Sequence, residues 1–149
     1  MKELKFETGL VEMAVNGGRV IRFNPADVGF MDTLYTLLGK IEAIEAETRK
    51  KQDKTEDLAK LFDRSRSSDK RMREAVDSVF GEGFCAQVFP GIRLTALADG
   101  LSVLENFVFA IMDEMDESVR DNLAKREGRI AKYTAKYQAR KNNNVVPME

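Results

Sequence analysis

The sequence predicts a mainly α-helical protein of the α+β kind: an N-terminal β-hairpin, a helical body and a long C-terminal helix. Three observations predict it. Apolar residues alternate with polar ones only before residue 24; from Phe30 onward they recur every three or four positions; and the strongest breakers cluster between Gly81 and Gly91. At 149 residues the chain has the length of one domain. It divides into the hairpin (1–24), the body (25–115), a basic helix that projects or folds back (116–141) and a disordered tail (142–149).

In the hairpin Leu4 and Phe6 alternate with Lys5 and Glu7, then Val11, Met13 and Val15 with Glu12 and Ala14, so residues 3–24 read as strands. Asn16-Gly17-Gly18 is the turn. A two-residue loop would set Val11 opposite Arg22. A three-residue loop sets Met13 opposite Ile21 and Val11 opposite Phe23, gathering one apolar face, and it is the register expected, with a glycine in the left-handed region.

Asn24-Pro25-Ala26-Asp27 reads as a helix start, with Asn24 as cap and Pro25 in the first turn. Phe30, Leu34, Leu37, Leu38, Ile41 and Ile44 form its stripe, which fades over 45–54 and resumes at Leu58, Leu61 and Phe62. Arg64-Ser65-Arg66-Ser67-Ser68 predicts a break, because clustered serines compete for backbone hydrogen bonds. Asp69 would then cap a short helix carrying Met72, Val76, Val79 and Phe80 and ending at Gly81.

Residues 84–91 form an apolar connector that Pro90 and Gly91 keep from being a continuous helix. The last helix is expected from near Thr95. Leu97, Leu101, Leu104, Val108, Ile111 and Met115 make one seam; Val119, Leu123, Arg126, Ile130, Tyr133 and Tyr137 make a second, offset by four residues. Unbroken from 95 to 141, this helix would run about 70 Å, against a radius of gyration of about 15 Å for a compact chain of this length. Either it breaks, near Asp116 or Gly128, or it projects toward a partner.

Composition narrows the chemistry. There is no histidine, and Cys85 is the lone cysteine, which excludes Ser-His and Cys-His nucleophile pairs, Cys/His zinc sites and intrachain disulfides. Among Phe84, Ala86 and Val88 the thiol reads as buried and inert. Gly81-Glu82-Gly83 lacks the remainder of any phosphate-binding fingerprint. The start lacks the apolar core of a signal peptide and no run is long enough to span a bilayer, so a cytoplasmic protein without membrane contact is expected. Seven methionines suit adaptable contact surfaces.

Two constellations offer function. Glu42 with Glu45 and Glu114 with Glu117 set acids three apart on a helical face, the spacing by which a Mg²⁺-dependent all-α nucleotide hydrolase would hold its metal; in a chain that is 33% charged, the same spacing also makes an ordinary solvated face. Charge is also segregated: residues 105–121 carry six acids and one Arg, residues 125–141 seven bases and one Glu. Bases tracking phosphates with Tyr133 and Tyr137 stacking would make a nucleic-acid site. Opposite halves attracting antiparallel neighbours would instead set register in a homo-oligomer, and this reading is preferred.

From Val76-Asp77-Ser78-Val79-Phe80-Gly81-Glu82-Gly83 to Val88-Phe89-Pro90-Gly91, together with the order of elements over 10–115, the chain resembles the tail assembly chaperones of long-tailed phages and prophages of Gram-positive bacteria. Val79 and Phe80 open the motif, Gly81 and Gly83 match its glycines, and Val88 with Phe89 matches its closing pair. Pro90 before Gly91, and Phe84 in place of Thr or Ser, depart from it. The resemblance implies a non-enzymatic cytoplasmic protein, needing no cofactor, that holds the tape-measure protein, recruits tail-tube subunits and is absent from the finished virion. A longer frameshifted product is common in that family. On this reading Phe80 and Phe89 pin the connector, while Leu101, Leu104, Val108, Ile130, Tyr133 and Tyr137 are candidate partner contacts.

Overall fold

The computed structural model describes residues 1–51 and 55–144. It is mainly α-helical. Strands β1 (Val11–Ala14) and β2 (Val20–Phe23) form the hairpin; helices α1 (Val28–Lys50) and α2 (Leu58–Phe80) form an antiparallel pair; a short helix α3 (Phe84–Val88) and a second small hairpin, β3 (Leu97–Ala98) with β4 (Leu101–Ser102), lead into α4 (Val103–Asn144).

The first hairpin has the expected register, Val11 opposite Phe23 and Met13 opposite Ile21. Asn16 and Gly17 both have positive φ, 49° and 74°, and the Gly18 amide donates to the Val15 carbonyl at 3.0 Å. Both central residues of the turn are thus left-handed, as tight hairpins of natural twist prefer. The strands are shorter than the alternation predicts. Leu4 and Phe6 are exposed and unpaired, and Gly9, at φ 72°, turns the chain away before β1 begins.

The first helix also starts later than expected. Asn24 Oδ1 accepts from the Ala26 amide at 2.7 Å and closes a turn, so the capping role passes to Asp27, whose Oδ1 accepts from Gly29 N at 2.8 Å. Helix α1 ends at Lys50 and α2 begins at Leu58, with Asp57 capping α2 through Lys60 N; residues 52–54, part of the stretch where the stripe fades, lie outside the described residues. The serine-rich segment 64–68 is helical throughout, contrary to the expected break. Ser68 is buried against α1 and accepts from Thr48 Oγ1 at 3.1 Å, so its hydroxyl finds a neighbouring helix in place of its own backbone.

Asp69 is accordingly no cap but an interior residue of α2, and it organises the connector. Its Oδ2 accepts from Arg73 Nε at 2.7 Å and its Oδ1 from the Leu94 amide at 2.9 Å. Arg73 in turn donates to the carbonyls of Cys85, Phe89 and Ile92, and Asp77 Oδ1 accepts from Cys85 N at 2.8 Å. Three residues one helical turn apart thereby bind five backbone groups of 85–94, a segment whose own short helix satisfies only part of its backbone.

The last helix begins at Val103, not near Thr95. Asp99 and Gly100, at φ 55° and 84°, make a tight turn that puts Leu97 and Leu101 in a two-residue ladder. A reciprocal cap follows: Glu105 N donates to Ser102 Oγ at 3.0 Å and Ser102 N to Glu105 Oε1 at 2.9 Å. No break occurs at Asp116 or Gly128. The helix also runs through 142–144, where a disordered tail is expected; 145–149 lie outside the described residues.

The core lies where the β1–β2 hairpin, α1, α2, α3 and the first three turns of α4 meet. Leu34, Met72, Val76, Phe84, Leu94, Leu104 and Val108 are almost fully buried there. Six phenylalanines from the hairpin, α1, α2, α3, the connector and α4 join in a ring network through Phe23–Phe30 at 4.8 Å, Phe80–Phe84 at 4.9 Å and Phe89–Phe107 at 5.9 Å.

Candidate functional site

The residues of the Phe-Gly-x-Gly segment serve the body. Gly81 ends α2 at φ 111° and Gly83 precedes α3 at φ 75°, conformations that cost a side-chain-bearing residue free energy. Phe80 packs on Phe84 and Phe107, Phe89 is buried, and Val88 packs at the edge of the core. Phe84, the departure from the motif, lies among Phe80, Phe89 and Phe107, which explains why an aromatic ring is placed there. Arg19 from the hairpin turn donates to Gln87 Oε1 at 2.9 Å, so the connector is held from two sides.

Cys85 is buried and its thiol lies against the Arg73 carbonyl. Burial first, and the Asp77 carboxylate second, push its pKa up to about 12, which leaves it a poor nucleophile at neutral pH.

The carboxylate pairs do not converge. Glu42 is exposed, Glu45 pairs with Arg49 across one turn, and Glu114 and Glu117 lie exposed on α4. Among the described residues no group of three or more His, Cys, Asp or Glu is placed to hold a metal ion. Nearby, Glu47 is held below the usual carboxylate range by a hydrogen bond from Arg71 and by Lys51. Its neighbours are bases on a wet surface, not a second acid.

The sequence-predicted contact residues separate into two groups. Leu104 and Val108 are buried in the core, and Leu101 is half-buried within the second hairpin. Leu104 and Val108 cannot meet a partner without unfolding. Ile130, Tyr133 and Tyr137 are exposed on the distal part of α4, as is Leu123 at 59%. From Arg120 through Arg140 every residue of α4 is exposed. A helix in that setting lacks the buried stripe that usually stabilises it.

Sequence reasoning missed the extent of the second seam. Counting back from Val119 by three, four and three gives Asp116, Met112 and Phe109, so the seam does not begin where the first one ends; the two run side by side over 109–115, the first turned to the core and the second turned outward. The alternating spacing of four and three was a sufficient signal, obscured because Phe109 and Met112 also read as part of the core. Beside the seam a groove of about 470 Å³ opens between α1 and α4, lined by Tyr35, Leu38, Glu42, Glu45, Glu105 and Phe109 among others. Near the foot of the arm Ala26 faces Val119 and Leu123 across a second groove.

The architecture is a hairpin-and-helix body bearing one long helix that is exposed from Arg120 through Arg140. The chain belongs to a family described as "Family of unknown function (DUF6673)", whose sequence model matches residues 17–144. The match spans the second strand, the connector and the whole described arm. No curated protein and no solved structure matches it. Among the described residues no helix is long and apolar enough to cross a membrane.

Proposed function

We propose that this chain is a non-enzymatic tail assembly chaperone of a long-tailed phage or prophage, which holds the tape-measure protein in the host cytoplasm, helps recruit tail-tube subunits and is lost before the tail is complete. The observation that carries this reading is the distal half of α4. It presents Leu123, Ile130, Tyr133 and Tyr137 to solvent beside the bases of 125–140, a face suited to a long, helical, repetitive partner. The resemblance over 76–91 supplies the partner's identity. Several weak contacts along such a fibre would combine through effective concentration.

Co-expression with the tape-measure protein encoded beside this gene tests the reading. The expected result is a complex that co-purifies and keeps the tape-measure protein in solution, and that is lost when Ile130 and Tyr133 are both changed to Asp. A chain that never co-purifies, or a gene with no long helical neighbour, would remove it.

One observation favours a second reading. Lys125, Arg129, Lys132, Lys136 and Arg140 interleave with Tyr133 and Tyr137, and the Arg129 guanidinium lies 6.0 Å from the centre of the Tyr133 ring, a combination that also suits nucleic acid. Titration of a DNA or RNA duplex at low salt separates the two. Salt-sensitive binding abolished by changing these five bases to Gln would favour nucleic acid.

A further inference from the structure

The outward seam of α4 has a property that the inward one lacks. Phe109, Met112, Asp116 and Val119 continue without a skip into Leu123, Arg126, Ile130, Tyr133 and Tyr137, a strict alternation of three and four. That is a heptad repeat over about four heptads, and the body covers little of it: Met112 and Val119 are half-buried, but Phe109 is 37% exposed, Asp116 and Arg126 are exposed, and Ile130 is 45% exposed. A heptad seam of this length specifies a second helix lying along it.

We propose that the second helix is α4 of another copy of this chain, packed antiparallel about a two-fold axis that passes between Ala124 and Lys125. Charge order selects both the partner and the direction. Residues 113–121 carry five acids and Arg120, while residues 128–136 carry three bases and no acid. Parallel pairing sets acid against acid and base against base along the whole contact. Antiparallel pairing about this axis sets each acidic segment against a basic one, twice, by symmetry.

The same axis matches every seam layer. Val119 lies against the partner's Ile130 and Leu123 against the partner's Arg126, and the two-fold repeats both layers. Further out, Met112 meets the partner's Tyr137, and Asp116 meets the partner's Tyr133, whose hydroxyl can donate to the carboxylate. On the flank, Arg120 faces the partner's Glu127, an acid otherwise isolated in a basic stretch. The overlap from Phe109 to Arg140 is about 48 Å long, and it carries the basic end of each arm to the groove that Glu42, Glu45 and Glu105 border. Shifting the axis by one residue loses the seam-to-seam match, so the register is as defined as the direction.

This pairing uses the face assigned above to the tape-measure protein, so a partner helix would compete with it; the pairing itself stands or fails without that protein. Sedimentation of the full chain over a wide concentration range should show a monomer–dimer equilibrium. Leu123→Asp with Ile130→Asp should weaken it roughly tenfold or more, while the cooperative unfolding of the body stays as in the parent chain. Direction and register are read by mild oxidation of Val119→Cys chains mixed with Ile130→Cys chains of different tag length, Cys85 being buried and inert. The expected product is the mixed disulfide. Predominant self-linking of the Val119→Cys chains would establish a parallel pair and overturn the proposal, as would a parent chain that remains monomeric at every concentration. Dimerisation without capture of a tape-measure protein would leave this inference standing and remove only the chaperone reading.

Discussion

The two halves of α4 share one helix and almost nothing else. Between Val103 and Met115 the residue types are set by what the body needs: Leu104, Val108, Ile111 and Met115 are buried and the remaining positions frame them. From Arg120 through Arg140 no residue is buried, yet the sequence keeps large apolar residues at regular intervals. If folding of the protomer alone governed both halves, the distal one would drift toward a wholly polar surface. The pairing proposed above gives its apolar seam a cover that the protomer does not supply.

The sharpest way to test that contrast is to remove equivalent side chains from the body in which the proximal half is rooted and from the distal half. Changing Arg73 to Ala leaves Asp69 buried without its ion pair and strips the donor from three backbone carbonyls; the expected loss is about 3–5 kcal/mol in urea unfolding. The same change at Arg126, exposed on the arm, should stay within about 0.5 kcal/mol in dilute solution, where chains are apart. Equal losses would refute the division.

Next in size, Leu104→Ala should cost about 2–5 kcal/mol, because a buried leucine leaves a cavity. Leu123→Ala, measured in dilute solution where chains are apart, should fall within about 0.5 kcal/mol. A smaller effect of opposite sign is expected at Gly128. It sits in the middle of an exposed helix with open space around its Cα, so Gly128→Ala should raise far-UV helicity by stabilising the arm about 0.5–1 kcal/mol without changing the unfolding midpoint of the body.

The finest test is alkaline. The Cys85 thiol stays protonated in the folded body up to about pH 12, from an ordinary value of 9.0. The unfolded chain releases that proton sooner, so stability contributed below pH 9 is lost progressively as the pH rises from 9 toward 12. Cys85→Ala should flatten that part of the pH profile of the melting temperature. Thiol reagents should label the parent chain only at the rate of global opening; fast labelling of the folded state would mean that the connector opens by itself.

How much of this could be read from the sequence depended on how locally each feature is determined. Hairpin register followed from matching Val11 and Met13 to Phe23 and Ile21, because a one-residue slip would have turned an apolar face to water. The glycine-bounded connector was legible because positive φ at Gly81 and Gly83 is a local demand. The serine-rich stretch was misread because the partner of Ser68 is Thr48 in another helix. Asp69 was misread for a similar reason: its acceptor role depends on Leu94, twenty-five positions away. Asp99-Gly100 was a visible turn signal that an apolar spacing at Leu97 and Leu101 outvoted. In the candidate site Ile130, Tyr133 and Tyr137 lie exposed whereas Leu104 and Val108 are buried, a difference the sequence does not show, since heptad spacing reports a seam and not what covers it.

Because α4 is one unbroken rod, its rooted end and its free end cannot be positioned independently. The root is clamped by Ser102 and Glu105 and by four buried side chains. From Met115 to Asn144 the rod extends about 43 Å, so a swing of about 10° at its root sweeps the tip by about 7 Å. The arm is in effect a boom: slight rearrangement among Phe30, Phe80 and Phe107 is magnified at Tyr137, and whatever seizes the tip exerts its greatest torque on the aromatic cluster at the base.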